Sequence, residues 1–370
     1  MRPIDAKAAI DRLVALLRDP GASHALDEAA WLEHVTVARR LNLIGTVGEA
    51  LHSRGQRLPA AIARHFDGAR LLSERQRQSV RWEVRCIDDC LAPLGVPVLL
   101  LKGSAYVMAD HAVSRGRLFG DVDILVPSEA LGDVESELMK AGWASAKSEP
   151  YDQRYYRQWM HELPPMFNVR RGSVIDVHHN LLPRTARLHP DPEKILARSH
   201  ALAAHGCIRL PALEDLLIHS LVHLVHEGEF HNGLRDLIDI DGLIASAADS
   251  VDFWQRVSSA ALGNELAAPV RLGLLLARDC VGTPVPEAVL RALDPASEAQ
   301  LGRWHAAILP RAIRSHALRP PLRSGDAWAQ TAAYWRAHAL RMPPHLLAVH
   351  LARKTWLSFQ PVKGEPPREE

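Results

Sequence analysis

Apolar positions recur every three or four residues through most of the first ninety, the period of a helix with one buried face. Ile10, Leu13, Leu16 and Leu17 form one such stripe, ended by Asp19-Pro20-Gly21. A second helix is predicted from about Asp27 to Leu41, and a third from about Pro59 through residues 71–91. Arg75, Arg77, Arg81 and Arg85 crowd part of that last helix and read as a solvated face. The pattern changes at Gly95. Residues 96–101 are a short apolar run bounded by turn residues, and residues 121–126 are another, so both are predicted strands. Pro127-Ser128 closes the second, with Ser128 as N-cap of a helix carrying Leu131, Val134 and Leu138, and Gly142 at its end. Residues 166–169 and 174–178 flank Arg170-Arg171-Gly172-Ser173 as a hairpin. Helical periodicity returns near Leu210, over residues 211–227, 234–248 and a broken pair across 253–280, with more helices to about Phe359.

This order predicts an α+β protein in which helical regions flank a small mixed sheet. The expected divisions are an N-terminal helical region (1–74), an α/β core (75–203), a C-terminal helical region (204–360) and a polar, Pro-rich disordered tail (361–370). A length of 370 residues suits about two or three domains. No segment approaches the roughly 18 apolar residues a membrane span needs, and no long apolar stretch follows Met1, so no membrane partner and a cytoplasmic location are expected. The four cysteines are scattered and read as free thiols, and a net charge of +1 points to no partner.

Candidate chemistry concentrates on the predicted strands. Asp121 and Asp123 are two apart, so they share one strand face, among apolar Val122, Ile124 and Leu125. Paired carboxylates there are costly without compensation, which a divalent cation of the Mg²⁺ kind supplies; a strand end facing water is the plain alternative. Lys102-Gly103-Ser104 follows the first strand and opens a helix, a place where backbone N–H groups and a hydroxyl can hold phosphate. Asp176 sits between Ile175 and Val177, pointing away from both, and a third carboxylate reaching the first two makes a site for two metal ions. Arg115-Gly116-Arg117 just precedes the aspartates, where a cation can neutralise a triphosphate.

Taken together, Gly103-Ser104, Asp121-Val122-Asp123 and the later Asp176 resemble the signature of the DNA polymerase β nucleotidyltransferase superfamily. Leu101-Lys102-Gly103, the run from Arg117 to Val126 and Ile175-Asp176-Val177-His178 look closest to a branch of bacterial nucleotidyltransferases with a Leu-Lys-Gly opening. Residues 211–219, with Arg235 and Asp239, look like that branch's helical part, so the resemblance spans about Gly95 to Leu243.

The resemblance implies a magnesium-dependent enzyme that moves a nucleoside monophosphate from a nucleoside triphosphate to a hydroxyl, with release of pyrophosphate. Asp121, Asp123 and Asp176 then hold two Mg²⁺ ions and carry catalysis. Gly103, Ser104 and Lys102 hold the β- and γ-phosphates, and Arg117 offsets charge on the pyrophosphate. The acceptor stays open among small molecule, protein and RNA. A nucleotide-binding protein of this fold without catalysis, and a histidine-metal phosphohydrolase, are the alternatives.

Twenty histidines add a further reading. His219, His223 and His226 share one helix face, either as metal ligands or as polar packing toward the cleft. His178 shares the face of Asp176, to contact the acceptor or to brace the carboxylate. Between Leu301 and Gln360 stand nine Arg or Lys and one acid, Asp326, with Trp304, Trp328, Trp335 and Trp356 among them. Such a stretch can bind nucleic acid, but core tryptophans with surface arginines are the favoured reading.

Overall fold

The computed structural model describes residues 6–147, 149–293, 304, 308–316 and 324–348. Helix α1 (Ala6–Arg18) buries Ile10, Leu13 and Leu16. Helix α2 (Glu28–Arg40) starts where the Asp27 carboxylate accepts from the Ala30 N–H at 2.8 Å, satisfying an orphan donor of the first turn. Helix α3 (Ile44–Ser53) does not stand out in the hydrophobic pattern, because Gly45 and Gly48 interrupt its buried face. Those glycines permit close packing instead. A Cβ on Gly45 would meet the Gly116 carbonyl oxygen at 2.2 Å, and Gly116 itself has φ +75°. This backbone contact seats the loop that leads into Arg117.

Helix α4 (Ala60–Leu91) runs unbroken for 32 residues, across the expected boundary at residue 74. Its buried side carries Val80, Val84, Ile87 and Leu91 at one- and two-turn spacing. The chain then enters β1 (Val98–Leu100), α5 (Lys102–Met108), β2 (Val122–Leu125), α6 (Leu131–Lys140), β3 (Trp143–Ser145), α7 (Pro150–Trp159), β4 (Met166–Asn168), β5 (Val174–His178), α8 (Pro192–Arg198), β6 (His200–Ala201) and β7 (Ile208–Leu210). One seven-stranded sheet results, ordered β3-β4-β5-β2-β1-β7-β6. It is mixed as expected: β2–β5 and β1–β7 are parallel, and the remaining neighbours antiparallel. The sheet takes in β7, which lies past residue 203. Ser128 does not cap α6. It opens a short 3₁₀ turn (Ser128–Ala130), and its hydroxyl lies 3.3 Å from Glu129 Oε2. Gly142, with φ +88°, follows the end of α6 as read.

Helices α9 (Leu213–His226), α10 (Gly233–Ala245), α11 (Phe253–Gly263), α12 (Ala267–Val281), α13 (Glu287–Leu293), α14 (Leu309–Ser315) and α15 (Ser324–Arg341) form the remainder. Twelve of the fourteen residues of α9 are buried, so it is the central helix, with α5, α10, α11, α12 and α15 around it. Two polar contacts fix it to the core: Arg198 grips Asp215 through two hydrogen bonds of 2.8 and 2.6 Å, and Tyr106 Oη meets Ser220 Oγ at 2.7 Å.

The favoured reading of the basic end does not hold at two tryptophans. Trp328 and Trp335 are 60% and 50% exposed, whereas Arg336 is half-buried, donating to the Val225 carbonyl and lying under the Trp304 ring. Trp356 and the tail 361–370 lie outside the described residues. All four cysteines are free thiols, and among the described residues no helix is long and apolar enough to cross a membrane.

Candidate active site

The site is built on two adjacent parallel strands. Their register sets Asp123 opposite Asp176 and Leu125 opposite His178. Side chains at paired positions point to the same face, on backbones about 4.8 Å apart. Asp121, two residues before Asp123, joins that face at the rim. The three aspartates therefore come together from two strands more than fifty residues apart in sequence.

Asp123 is the centre of this group and is only 3% exposed. Its Oδ1 accepts from the Lys102 ammonium at 2.8 Å and lies 3.1 Å from His178 Nε2. Burial pushes this carboxyl up, but Lys102 and His178 outweigh it and hold the group well below the usual carboxylate range. Asp176 has no such cation. Burial, then the charges of Asp123, Glu162 and Asp121, push it up to about 7, and its Oδ1 is buried without a hydrogen-bond partner. Asp121 is exposed by surface, yet it is walled in closely enough that burial, followed by repulsion from Asp123, also raises it.

The other expected phosphate ligands have different work. The Ser104 hydroxyl is fully buried, 2.8 Å from the Leu101 carbonyl and 3.1 Å from that of Asp123, so it braces the backbone of β2 rather than facing a ligand. Gly103 lies under Arg117 and Phe119: a Cβ there would come within 2.6 Å of Arg117 Nη1 and 2.7 Å of Phe119 Cδ1. Arg117 donates from Nε to Asp239 Oδ2 at 2.7 Å, its guanidinium over the rings of Phe119 and Tyr106. Arg235 pairs with its neighbour Asp236 at 2.9 Å, not with Asp239. Lys102 alone of the expected phosphate ligands presents a charged tip at the carboxylates. Gly103→Ala is accordingly expected to cost roughly 1–3 kcal/mol through overpacking, seen as a lower melting temperature with an unchanged KM for nucleotide. A raised KM with unchanged melting would return Gly103 to phosphate binding.

The three histidines of α9 do not converge. His226 turns back and donates from Nδ1 to the Val222 carbonyl of its own helix at 2.9 Å. His219 is buried with Nδ1 unpartnered, and burial, then Lys102, lowers it to about 3. His223 instead groups with Glu227 and Asp236, each offering a ligand atom within 4.8 Å of the others. Lys102 is among the charges felt by His219, His223 and Glu227, which places this helix face across the cleft from the aspartates.

Two residues absent from the sequence reading border the site. His161 and Glu162 come from the loop after α7, which lies along the end of β5 through a Glu162–His178 bridge and a 2.8 Å bond from the His179 N–H to the His161 carbonyl. No spacing in the chain marks them. A groove of about 880 Å³ also opens between α4 and the β4–β5 hairpin, lined in part by Arg75, Trp82 and Arg171. Of the aspartates it reaches only Asp121, at the rim, and neither Asp123 nor Asp176 lines it.

Residues 27–282 match the family described as uncharacterised nucleotidyltransferases. No curated protein matches the chain.

Proposed function

The chain belongs to the uncharacterised nucleotidyltransferase family, and from that premise we propose that it transfers a nucleoside monophosphate from a nucleoside triphosphate to an acceptor hydroxyl, using Mg²⁺ held by Asp121, Asp123 and Asp176. The observation that carries this reading is the register of Asp123 against Asp176, with a buried, unpartnered Asp176 oxygen beside it. Three crowded carboxylates, two of them raised by burial and by the charge of Asp123 and one with an unsatisfied oxygen, are a fit donor set for a hard divalent ion. When bound, Mg²⁺ supplies Lewis-acid polarisation of the phosphoryl group and of the acceptor hydroxyl.

The chain's own residues supply the rest. Asp176, completing the ion's ligand set, helps to activate the attacking hydroxyl. Lys102 stands at the carboxylates as the cation for the triphosphate, and His178 keeps Asp123 oriented through Oδ1. The buried face of α9 closes the far side against water. Arg117 stays with Asp239 and takes no part in phosphate binding.

The test is incubation of the purified chain with each of the four α-labelled triphosphates, Mg²⁺ and cell extract. Label moving to one fraction with release of pyrophosphate supports the proposal and identifies the acceptor as small molecule, protein or RNA. Release of free phosphate without label transfer, for all four, rejects it.

The pKa of Asp176 gives a second prediction. It is raised from 3.8 to about 7, so below about 7 an incoming ion competes with a proton. Affinity for Mn²⁺, a spectroscopic substitute for Mg²⁺, is expected to rise about tenfold per pH unit up to about 7 and then level off. Because the folded-state pKa is the higher one, Asp176 makes the metal-free protein less stable as pH climbs from about 4 to 7, and Asp176→Asn removes that slope. Affinity independent of pH between 5 and 8 excludes Asp176 from the ion's ligands.

A further inference from the structure

We propose that His161, Glu162 and His178 form a second metal site, distinct from the aspartates, that binds one borderline divalent ion of the Zn²⁺ class. Each of the three offers a ligand atom within 4.8 Å of the others. Two imidazoles and a carboxylate are a nitrogen-rich set, suited to Zn²⁺ and unlike the all-oxygen set that suits Mg²⁺.

Two buried ring nitrogens in this cluster, His161 Nδ1 and His178 Nδ1, have no hydrogen-bond partner. His178 Nε2 lies 3.1 Å from Asp123 Oδ1, and an ionised carboxylate only accepts, so the ring proton sits on Nε2. In the neutral ring Nδ1 then carries a lone pair, buried in a side chain 3% exposed and receiving no hydrogen bond. Its nearest charged neighbour is Glu162 Oε2 at 3.4 Å, another acceptor. His161, with its ring centroid 5.3 Å from that of His178, likewise has a buried Nδ1 without a partner. Lone pairs gathered in a buried place without a donor are costly, and an ion among them removes the cost. Asp123 on the far nitrogen of His178 completes a carboxylate–histidine–metal arrangement, in which the outer carboxylate fixes tautomer and ring orientation. The backbone bridge between Glu162 and His178 holds the set in place without the ion.

This site does not rest on the nucleotidyl-transfer reading, and its test needs no substrate. The purified full chain, without an affinity tag and stripped of metal, is titrated with Zn²⁺ in excess Mg²⁺ by calorimetry, and with Co²⁺ by visible absorption. One ion per chain is expected. Glu162→Gln and His161→Gln should each weaken it by at least about tenfold, since even an outer-shell partner is worth that much, while Asp176→Asn leaves it unchanged. Circular dichroism confirms the fold of each variant, and His161→Gln, on a half-buried loop, decides should Glu162→Gln fail to fold. The proposal is overturned if no Zn²⁺ binds over Mg²⁺, as when a second proton on His178 faces Glu162. It is also overturned if neither loop variant changes the affinity, or if Asp176→Asn abolishes binding and so assigns the ion to the aspartates.

Discussion

Asp123→Asn is expected to lower nucleotidyl transfer by on the order of 10³-fold, the scale lost when a charge-stabilising group is removed from a closed site. The substitution keeps the volume of a side chain that is 3% exposed, so the fold has little to accommodate sterically. Electrostatically it changes everything around it. Oδ1 serves Lys102 and His178 together, and a neutral amide returns one poor acceptor or sets its NH₂ against the ammonium. The proposed metal-binding group loses its best-ionised carboxylate, because Asp123 is held below the usual range while Asp121 and Asp176 are both raised. Label transfer from the α-labelled triphosphate at saturating Mg²⁺ measures the effect. An Asn variant working at the wild-type rate would falsify the assignment of these strands as the catalytic centre.

The largest stability effect is expected at Arg117. Its ion pair with Asp239 is buried on both sides, with side chains 10% and 6% exposed, and links the loop before β2 to helix α10 across 122 residues. Arg117→Ala leaves the Asp239 carboxylate buried without its strongest cation and removes a guanidinium from two aromatic faces. Loss of one partner of a buried pair costs about 3–5 kcal/mol, and replacing both by apolar groups costs far less. The urea midpoint should therefore drop sharply for Arg117→Ala and recover in Arg117→Met with Asp239→Leu. A variant with wild-type stability and a weakened affinity for triphosphate would return Arg117 to the phosphate-binding role its position in the chain suggests.

That contrast shows where the chain could be read and where it could not. The faces of Asp121, Asp123 and Asp176 follow from the two-residue period of a strand, a local property, and so were legible from the apolar residues around them. The turn at Gly142 and the helix start near Asp27 are local in the same way. Ser104 and Gly103 stand where the motif puts them, but a hydroxyl bonds to whichever acceptor the packing brings close, and here that is the backbone of β2. The α9 histidines share a helix face by spacing. Only the approach of α10, bringing Asp236, and the back-bond of His226 decide which of them can act together.

The sequence by itself determined four of the seven strands, the longer helices on either side of them, and the strand face on which three carboxylates lie. Each depends on torsions and periods within a few residues. The tertiary structure alone decided that Asp176 stands in register with Asp123, that Arg117 belongs to Asp239, and that a loop carrying His161 and Glu162 returns to His178. Those partnerships form between segments far apart in the chain, where mutual burial and the pairing of charge, not local conformation, select the neighbour.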